Sequence, residues 1–373
     1  MSPPPPHDPD WLRQSIAMIR EASSAGRGLR IRGHGSKDFY GLPADDAQQL
    51  LTTLPHTGVV DYDPAELVVV ARCGTPIVEL ESVLAKSRQM LAFEPPRFSG
   101  QGTVGGMMAS GLSGPRRMSA GAAKDFVLGM TILDAQAEPT RFGGTVMKNV
   151  AGYDISRLHT GALGTLGLIV DVSLKVLPMP PAQATLVFEA SAEQSIAWAN
   201  AWGGQPLPMV ATSWHDGQFV VCLSGAAAAI RAAKEKLGGQ TMPQAQAETF
   251  WQRLRDQDDD FFAVDDSPAQ SHLWRLSLPS ATPHLSAIAE PQWIEWGGAL
   301  RWVKTPAPAE RIRALAAQHG GHATLFRTAS DDARRSAQVF SDLSPALMNI
   351  HQRLKQELDP KKIFNPGRMF AGL

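Results

Sequence analysis

The sequence lacks several features that would place a chain in common protein classes. Its 373 residues contain two cysteines, Cys73 and Cys222, and no Cys-x-x-Cys pair, so no iron–sulfur or zinc site is evident. Its purely aliphatic runs reach about five residues, whereas a helix that spans a bilayer needs roughly 20. The formal net charge of −1 gives no overall attraction to nucleic acid or to an anionic membrane.

Familiar catalytic and targeting signals are also absent. The sequence has no Gly-Lys dipeptide for a Walker loop, no His-Glu-x-x-His and no Gly-x-Ser-x-Gly. Its first residues include four consecutive prolines but no positive patch and no apolar segment, so we expect residues 1–9 to form a disordered tail and not a signal peptide. We therefore expect a cytoplasmic protein without nucleic-acid binding or direct membrane insertion, held at the inner membrane, if at all, through partners.

Glycine is concentrated in two short segments. Six of the fifteen positions at 100–114 are glycine, and Gly33-His34-Gly35-Ser36-Lys37 follows a short apolar strand. Bare backbone of this kind can lie flat against a rigid ligand, and its N–H groups can converge on an anion. Alone, the upstream segment is equally well explained as a plain turn. The two loops together predict one extended cofactor that contains phosphate.

The downstream loop formally matches the dinucleotide fingerprint, since Gly100, Gly102 and Gly105 have the spacing Gly-x-Gly-x-x-Gly. The preceding residues 94–99 contain two prolines and cannot form the central strand that this fingerprint requires. Asp125 lies at a suitable distance, but it begins a predicted strand and does not end one. We therefore expect no Rossmann domain.

The arrangement of predicted elements is α+β. All three tyrosines precede residue 180, eight of nine tryptophans follow it, and prolines at 178, 180 and 181 mark the join. We expect a first domain at 10–180, a second at 184–340, and a C-terminal helix and return segment at 344–373. Predicted strands cover 29–32, 67–71, 127–133, a half-buried 170–176, 185–189 and 218–223. Predicted helices cover 10–25, 226–237 and two segments with an apolar face. One has Thr75 as N-cap and Pro76 in its first turn, with Ile77, Leu80, Val83 and Leu84 on its apolar face. The other begins at Ser344 and ends before Asp359, with Leu347, Ile350, Leu354 and Leu358 on one face.

Two features of the second domain leave alternatives open. The acidic run 256–260 is interpreted as a solvated loop, with a metal site as the remote alternative. The tryptophans are interpreted as core and interface filler. The tryptophan-rich second domain is also a candidate docking surface, with Trp293 and Trp296 as the residues that test it, because aromatic residues are enriched at interfaces.

Five segments carry a resemblance to a known family. They are residues 32–41 (Arg-Gly-His-Gly-Ser-Lys-Asp-Phe-Tyr-Gly), 102–106 (Gly-Thr-Val-Gly-Gly), 148–155 (Lys-Asn-Val-Ala-Gly-Tyr-Asp-Ile), 161–167 (Gly-Ala-Leu-Gly-Thr-Leu-Gly) and 359–368 (Asp-Pro-Lys-Lys-Ile-Phe-Asn-Pro-Gly-Arg). In order and spacing they resemble the vanillyl-alcohol-oxidase type, or PCMH-type, FAD-binding family. Residues 141–154 and the short chain resemble in particular the FAD-binding E subunits of bacterial glycolate oxidases.

The resemblance implies a PCMH-type fold of two α+β subdomains that hold FAD, with a second α+β domain as a cap. The FAD pyrophosphate would rest on the first loop, the isoalloxazine would lie along the second, residues 125–127 and 166–169 would approach the adenine side, and the C-terminal return would reach the ring edge. The implied cofactor-binding residues are Gly33, His34, Gly35, Ser36, Lys37, Gly102, Thr103, Val104, Gly105, Gly106, Ser110, Gly111, Asp125, Gly167, Ile169 and Asn365.

Two departures from the family pattern limit what the resemblance implies. Some relatives attach FAD covalently through a first-loop histidine, but Ser36 stands at that position and His34 lies two residues earlier, so we expect non-covalent FAD. Larger relatives that oxidise 2-hydroxy acids carry His-x-Gly-Asp-Gly-Asn, and this chain has only Gly-Gly-His-Ala at 320–323. The best catalytic candidate is then Lys148. Arg116, Arg117 and His159 are further candidates for charge or a base, with a structural role as the alternative for each.

The expected function is that of an FAD-binding subunit of a glycolate oxidase complex that oxidises glycolate to glyoxylate. The implied partners are a larger FAD-containing subunit and an iron–sulfur subunit, and the implied substrate is a small 2-hydroxy acid. A self-sufficient FAD-dependent 2-hydroxy-acid or alcohol dehydrogenase is one alternative. A non-catalytic assembly subunit is another.

Overall fold

The computed structural model describes residues 9–45, 47–98, 100–144, 154–264 and 271–373. Two compact units divide these residues. Unit 1 takes the described residues up to Leu112, Ala122–Pro178 and Asp342–Leu373, and unit 2 takes Ser113–Gly121 and Met179–Ser341. No signal in the sequence predicted that Ser113–Gly121 belongs to unit 2.

The helices of the described residues are α1 (Pro9–Ala25), α2 (Ile77–Lys86), α3 (Val104–Ser110), α4 (Arg117–Ala120), α5 (Ile155–His159), α6 (Ala192–Gly203), α7 (Ala227–Leu237), α8 (Gln244–Asp256), α9 (Ala309–Gln318), α10 (Asp331–Ala337) and α11 (Pro345–Leu358). None of them combines the length and the apolar character needed to span a membrane.

The strands of the described residues are β1 (Leu29–Arg32), β2 (Gln49–Thr52), β3 (Val59–Asp63), β4 (Val68–Arg72), β5 (Gln89–Met90), β6 (Val127–Leu133), β7 (Pro139–Gly143), β8 (Leu168–Lys175), β9 (Leu177–Pro178), β10 (Ala182–Glu189), β11 (Met209–His215), β12 (Gln218–Gly225), β13 (Gln240–Thr241), β14 (His272–Ser277), β15 (Gln292–Glu295), β16 (Leu300–Thr305) and β17 (His322–Arg327). The mixed helix and sheet content confirms the α+β prediction.

Unit 1 is built on an antiparallel sheet in the order β3-β4-β8-β6-β7, with β1 and β2 as a separate parallel pair. The prediction that β8 is half-buried was wrong at Ser173, which is only 3% exposed. The strand lies in the middle of the sheet, between β4 and β6.

Helix α2 differs from the prediction in its N-terminal cap. Its apolar face is buried as predicted, through Ile77, Leu80 and Leu84. Thr75 does not cap the helix, because its hydroxyl accepts a hydrogen bond from Gly58 N and donates one to Gly58 O. The Thr75 side chain therefore fixes the chain between β2 and β3 to the start of α2.

Helix α11 begins and ends as predicted but buries a different face. Ser344 caps it by accepting a hydrogen bond from Leu347 N, and Asp359 follows its last residue. Leu347 and Ile350 belong to the predicted apolar face, yet they are 49% and 51% exposed. The buried residue of this helix is Lys355.

Unit 2 contains an antiparallel sheet in the order β13-β10-β12-β11-β15-β16-β14-β17. Its first half, β10-α6-β11-β12-α7-β13, is a βαββαβ unit. The second half, β14-β15-β16-α9-β17, also has four strands, but the segment between β14 and β15 contains no helix. In the sheet, these four strands are arranged as the mirror image of the first four. The two halves join where β11 pairs with β15. The sequence shows no repeat that would have predicted this duplication.

Five of the eight tryptophans of unit 2 are buried and the other three, Trp198, Trp202 and Trp214, pack partly buried against its core, as the core prediction requires. Trp251, Trp274 and Trp302 are at most 8% exposed. Trp293 and Trp296 are also buried, and their indole N–H groups donate to Ser213 Oγ and Gly114 O. The prediction that these two residues form a docking surface was therefore wrong, because neither ring is accessible.

Candidate functional site

The two glycine-rich loops meet in unit 1. A Cβ added at Gly33, at the end of β1, would lie 2.6 Å from Thr103 Oγ1 in the second loop. Gly105 N donates to Cys73 O at 2.7 Å, and a Cβ on Gly105 would lie 2.8 Å from Cys73 Cβ. A side chain at position 33 would push the two loops apart, and one at position 105 would push α3 away from Cys73, so glycine is required at both positions.

The second loop continues into α3. Thr103 caps this helix by accepting a hydrogen bond from Gly106 N, and Gly111 ends it in the left-handed conformation with φ of 62°. The Thr103 cap and the left-handed Gly111 thus fix where α3 begins and ends.

A cleft of about 950 Å³, including the solvent space at its mouth, lies between these segments. Twelve of the predicted residues line it: Gly33, His34, Gly35, Ser36, Lys37, Thr103, Gly105, Gly106, Ser110, Gly167, Ile169 and Asn365. The structure thus gathers residues from four distant stretches of the sequence.

Four predicted residues do not line the cleft. Gly102 packs behind it, where an added Cβ would lie 2.6 Å from Ile77 Cδ1. Val104 is fully buried, and Gly111 forms the C-terminal end of α3. Asp125 lies in a short 3₁₀ turn and accepts a hydrogen bond from Ala122 N. These four residues therefore contribute to the packing and turns around the cleft and not to its lining.

The lining carries more positive charge than the sequence analysis assigned to it. Arg30, Arg32 and Arg368 line the cleft together with Lys37, and Asp38 is the one carboxylate among the described lining residues. The Asp38 carboxylate binds Arg32 Nε at 2.7 Å and Arg30 at 3.1 Å. The surplus of cations suits a ligand with two phosphate groups. The Arg-x-Arg pair directly before the glycine loop was a signal that could have revealed it.

Arg368 also fixes the shape of the first loop. Its guanidinium donates to the carbonyl oxygens of Asp38, Leu42 and Lys37. A residue near the C-terminus therefore closes the loop that was predicted to hold the pyrophosphate.

Asn365 lines the cleft, but its amide is already used within the protein. Its Oδ1 accepts a hydrogen bond from Ile31 N at 2.7 Å, and its Nδ2 donates to Leu163 O at 2.7 Å. Its φ of 38° is a left-handed conformation that asparagine tolerates better than most residues. Asn365 therefore joins β1 to the loop before β8.

The candidate acid–base residues have little opportunity to act in the described part of the cleft. Burial raises the pKa of the Cys73 thiol, which therefore stays protonated. His159 does not line the cleft, and its burial lowers its pKa to about 4, so the imidazole is neutral near pH 7. The predicted catalytic residue, Lys148, lies outside the described residues.

The two remaining cationic candidates belong to unit 2. Arg116 donates to Gln183 Oε1 and to Ser224 Oγ. The Arg117 guanidinium lies 4.4 Å from the centroid of the Trp296 ring. Both side chains thus make structural contacts within unit 2.

Comparison with known proteins identifies the family. A model described as the FAD binding domain matches residues 9–153. The glycolate oxidase subunit GlcE of Escherichia coli (strain K12) is 43% identical over 364 residues, which is 98% of this chain and 99% of that protein. The chain belongs to the GlcE family. As a GlcE-family chain with this domain, it has FAD as its cofactor, and the glycine backbone and four cations of the cleft fit that group.

More distant matches cover only part of this GlcE-family chain. The glycolate oxidase subunit GlcD of Bacillus subtilis (strain 168) is 30% identical over 157 residues, which is 42% of this chain and 33% of that protein. The D-lactate dehydrogenase of Anaerostipes hadrus is 33% identical over 129 residues, 35% of this chain and 27% of that protein. A solved structure of alkyldihydroxyacetonephosphate synthase has a TM-score of 0.67 at 15% identity and covers 97% of this chain and 76% of its own, which shows the shared PCMH-type fold.

Proposed function

We propose that this chain is the FAD-binding subunit of a glycolate oxidase complex that oxidises glycolate to glyoxylate. The observation that carries the proposal is the 43% identity to GlcE along nearly the whole of both chains. The enzyme is then an FAD-dependent oxidoreductase that acts on a carbon–hydroxyl group, and this chain passes electrons through its flavin to partner subunits.

The cleft of unit 1 is the proposed FAD site. Lys37, Arg30 and Arg32 would neutralise the pyrophosphate, and Gly33 and Gly35 would let the backbone approach it. We infer non-covalent attachment because serine occupies position 36, where some members of the wider family have the histidine that bonds to the flavin. Acid precipitation of the purified protein should then release all FAD into the supernatant.

The chemistry of the described lining supports a role within a complex. Oxidation of glycolate removes two electrons and two protons, so a group that accepts the hydroxyl proton is needed, and FAD when bound supplies the acceptor for the electrons. Among the described lining residues, Cys73 stays protonated, Asp38 is held by two arginines, and His34 belongs to the loop assigned to the pyrophosphate. Lys148 is our candidate for a catalytic residue in this chain. The main acid–base work is assigned to a partner.

The proposed partners are a larger FAD-containing subunit and an iron–sulfur subunit. The former is suggested by the partial similarity to GlcD and the name of GlcE as a subunit. The complex would operate in the cytoplasm or at the inner face of the membrane, which this chain would reach through those partners.

The test is reconstitution. We expect the chain co-expressed with both partners to reduce a dye in the presence of glycolate, and the same preparation without this chain to lose that activity. The isolated chain should be yellow, with FAD and protein in equimolar amounts, and inactive by itself.

The same preparations separate the alternatives. Steady turnover of glycolate or lactate by the isolated chain would make it a self-sufficient dehydrogenase. A chain that stays colourless after incubation with FAD, yet restores activity to the partners, would be an assembly subunit.

A further inference from the structure

A buried ion pair lies beneath the cleft. Lys355 is 2% exposed and is the one buried residue of α11, and Asp359, directly after the helix, is not exposed at all. Lys355 Nζ lies 2.8 Å from Asp359 Oδ2. The ammonium also donates to Thr165 O at 2.6 Å and to Phe364 O at 3.2 Å. All three of its protons are used, as a buried ammonium requires.

The carboxylate of the pair is equally well satisfied. Asp359 Oδ1 accepts a hydrogen bond from Ile363 N at 3.0 Å, and Oδ2 accepts one from Phe364 N at 2.9 Å. The return segment 359–364 is thereby folded around Asp359. The hydrogen bond to Phe364 N fixes the backbone of Phe364 relative to Asp359.

Each group held by the ion pair adjoins a segment that lines the cleft. Thr165 lies between the lining residues Gly164 and Gly167, and Phe364 precedes the lining residue Asn365. Asn365 then bonds to Ile31 in β1. One ammonium therefore connects the loop before β8, the return segment and, through Asn365, strand β1, which leads into the first glycine loop.

We propose that Lys355 and Asp359 are positioning residues for FAD: their ion pair holds the three segments at the separation that the cofactor requires. The inference rests on the assignment of FAD to this cleft. Neither residue lines the cleft. Their effect is carried by Thr165 O, Phe364 O and the amide of Asn365.

The chemistry explains why an apolar residue at position 355 would not serve equally well. A methionine at 355 would fill the same volume, but it would leave Thr165 O and Phe364 O without a donor and the Asp359 charge without a partner. The two segments would then be free to separate. The packing of a methionine side chain would not restore the relative position of the segments that contain Thr165 and Phe364.

The experiment compares Lys355→Met with Lys361→Met, an exposed lysine three residues beyond the helix. FAD is titrated into each apoprotein at a temperature at which far-UV circular dichroism shows both to be folded. We expect Lys355→Met to raise the dissociation constant by at least about tenfold, and Lys361→Met to leave it within about twofold of the unmodified chain. Hydrogen exchange should accelerate at residues 29–33 and 161–168 in Lys355→Met alone.

A purely structural role would lower the thermal midpoint of the apoprotein without changing FAD affinity in the folded state, and that result would overturn the proposal. Lys355→Gln keeps two N–H donors but no charge, and it serves if the methionine variant does not fold. We expect it to weaken FAD binding by about threefold, and unchanged affinity would again count against the ion pair. Failure of the unmodified chain to bind FAD would instead reject the proposed function.

Discussion

Gly105 lies where α3 passes the backbone of Cys73, with room for no side chain. An added Cβ would stand 2.8 Å from Cys73 Cβ and 3.0 Å from Cys73 O. Backbone cannot move aside cheaply, so we expect Gly105→Ala to lower the free energy of unfolding by about 1–3 kcal/mol. FAD affinity should fall as well, because Gly105 lines the cleft. Urea denaturation and FAD titration measure the two effects.

Gly203 is the matched control, since it also lies in a helix and its nearest atom, Met209 Cε, is 4.0 Å from an added Cβ. Gly203→Ala should change the free energy of unfolding by no more than about 1 kcal/mol, in the stabilising direction. Equal losses in the two variants would show that the close approach to Cys73 has no special importance.

Single residues of the site differed in how far the sequence revealed them. The glycines and Ser36 were predicted because bare backbone after a strand has a local signature. Arg368 was missed as a lining residue, because its contacts with Asp38 and Leu42 cross more than three hundred positions. Asn365 was predicted, but not the use of its amide to join Ile31 and Leu163.

At the scale of elements, α11 shows that helical periodicity does not decide which face is buried. Leu347 and Ile350 are about half exposed, so Leu347→Ser and Ile350→Ser should each lower the free energy of unfolding by less than about 1 kcal/mol. Leu84→Ala in α2, at a fully buried position, should cost about 2–5 kcal/mol. Urea denaturation of the three variants tests the contrast.

Large losses at Leu347 and Ile350, comparable with the loss at Leu84, would mean that the face we describe as exposed is covered in solution. The sequence predicted this helix and both of its ends correctly, because the Ser344 cap and the Asp-Pro stop are local signals. The contact that buries Lys355 is with Thr165 and Phe364, and no local signal announces it.

At the scale of the whole molecule, every residue that lines the cleft belongs to unit 1. FAD at a hundredfold excess over its dissociation constant should stabilise the fold by about 2.7 kcal/mol. We expect hydrogen exchange to slow mainly at 30–38, 103–110, 163–169 and 365–368, with little change in β14 and β17. Mass spectrometry of exchange with and without FAD provides the measurement.

Riboflavin is a suitable control ligand because it lacks the pyrophosphate that Arg30, Arg32 and Lys37 are expected to bind. It should protect residues 30–38 less than FAD does at the same concentration. Equal protection by the two ligands, or FAD protection centred on unit 2, would contradict the placement of the pyrophosphate at the first loop.

The sequence by itself determined the α+β class, most of the strands and helices, and the two glycine loops with their phosphate-binding character. These depend on neighbouring residues, through strand and helix periodicity, caps and backbone freedom. Only the tertiary structure decided that Thr103 packs on Gly33, that Arg368 closes the first loop, and that Lys355 is buried beneath the cleft. Those contacts join residues far apart in the chain, and their energies exist only once the segments are folded against one another.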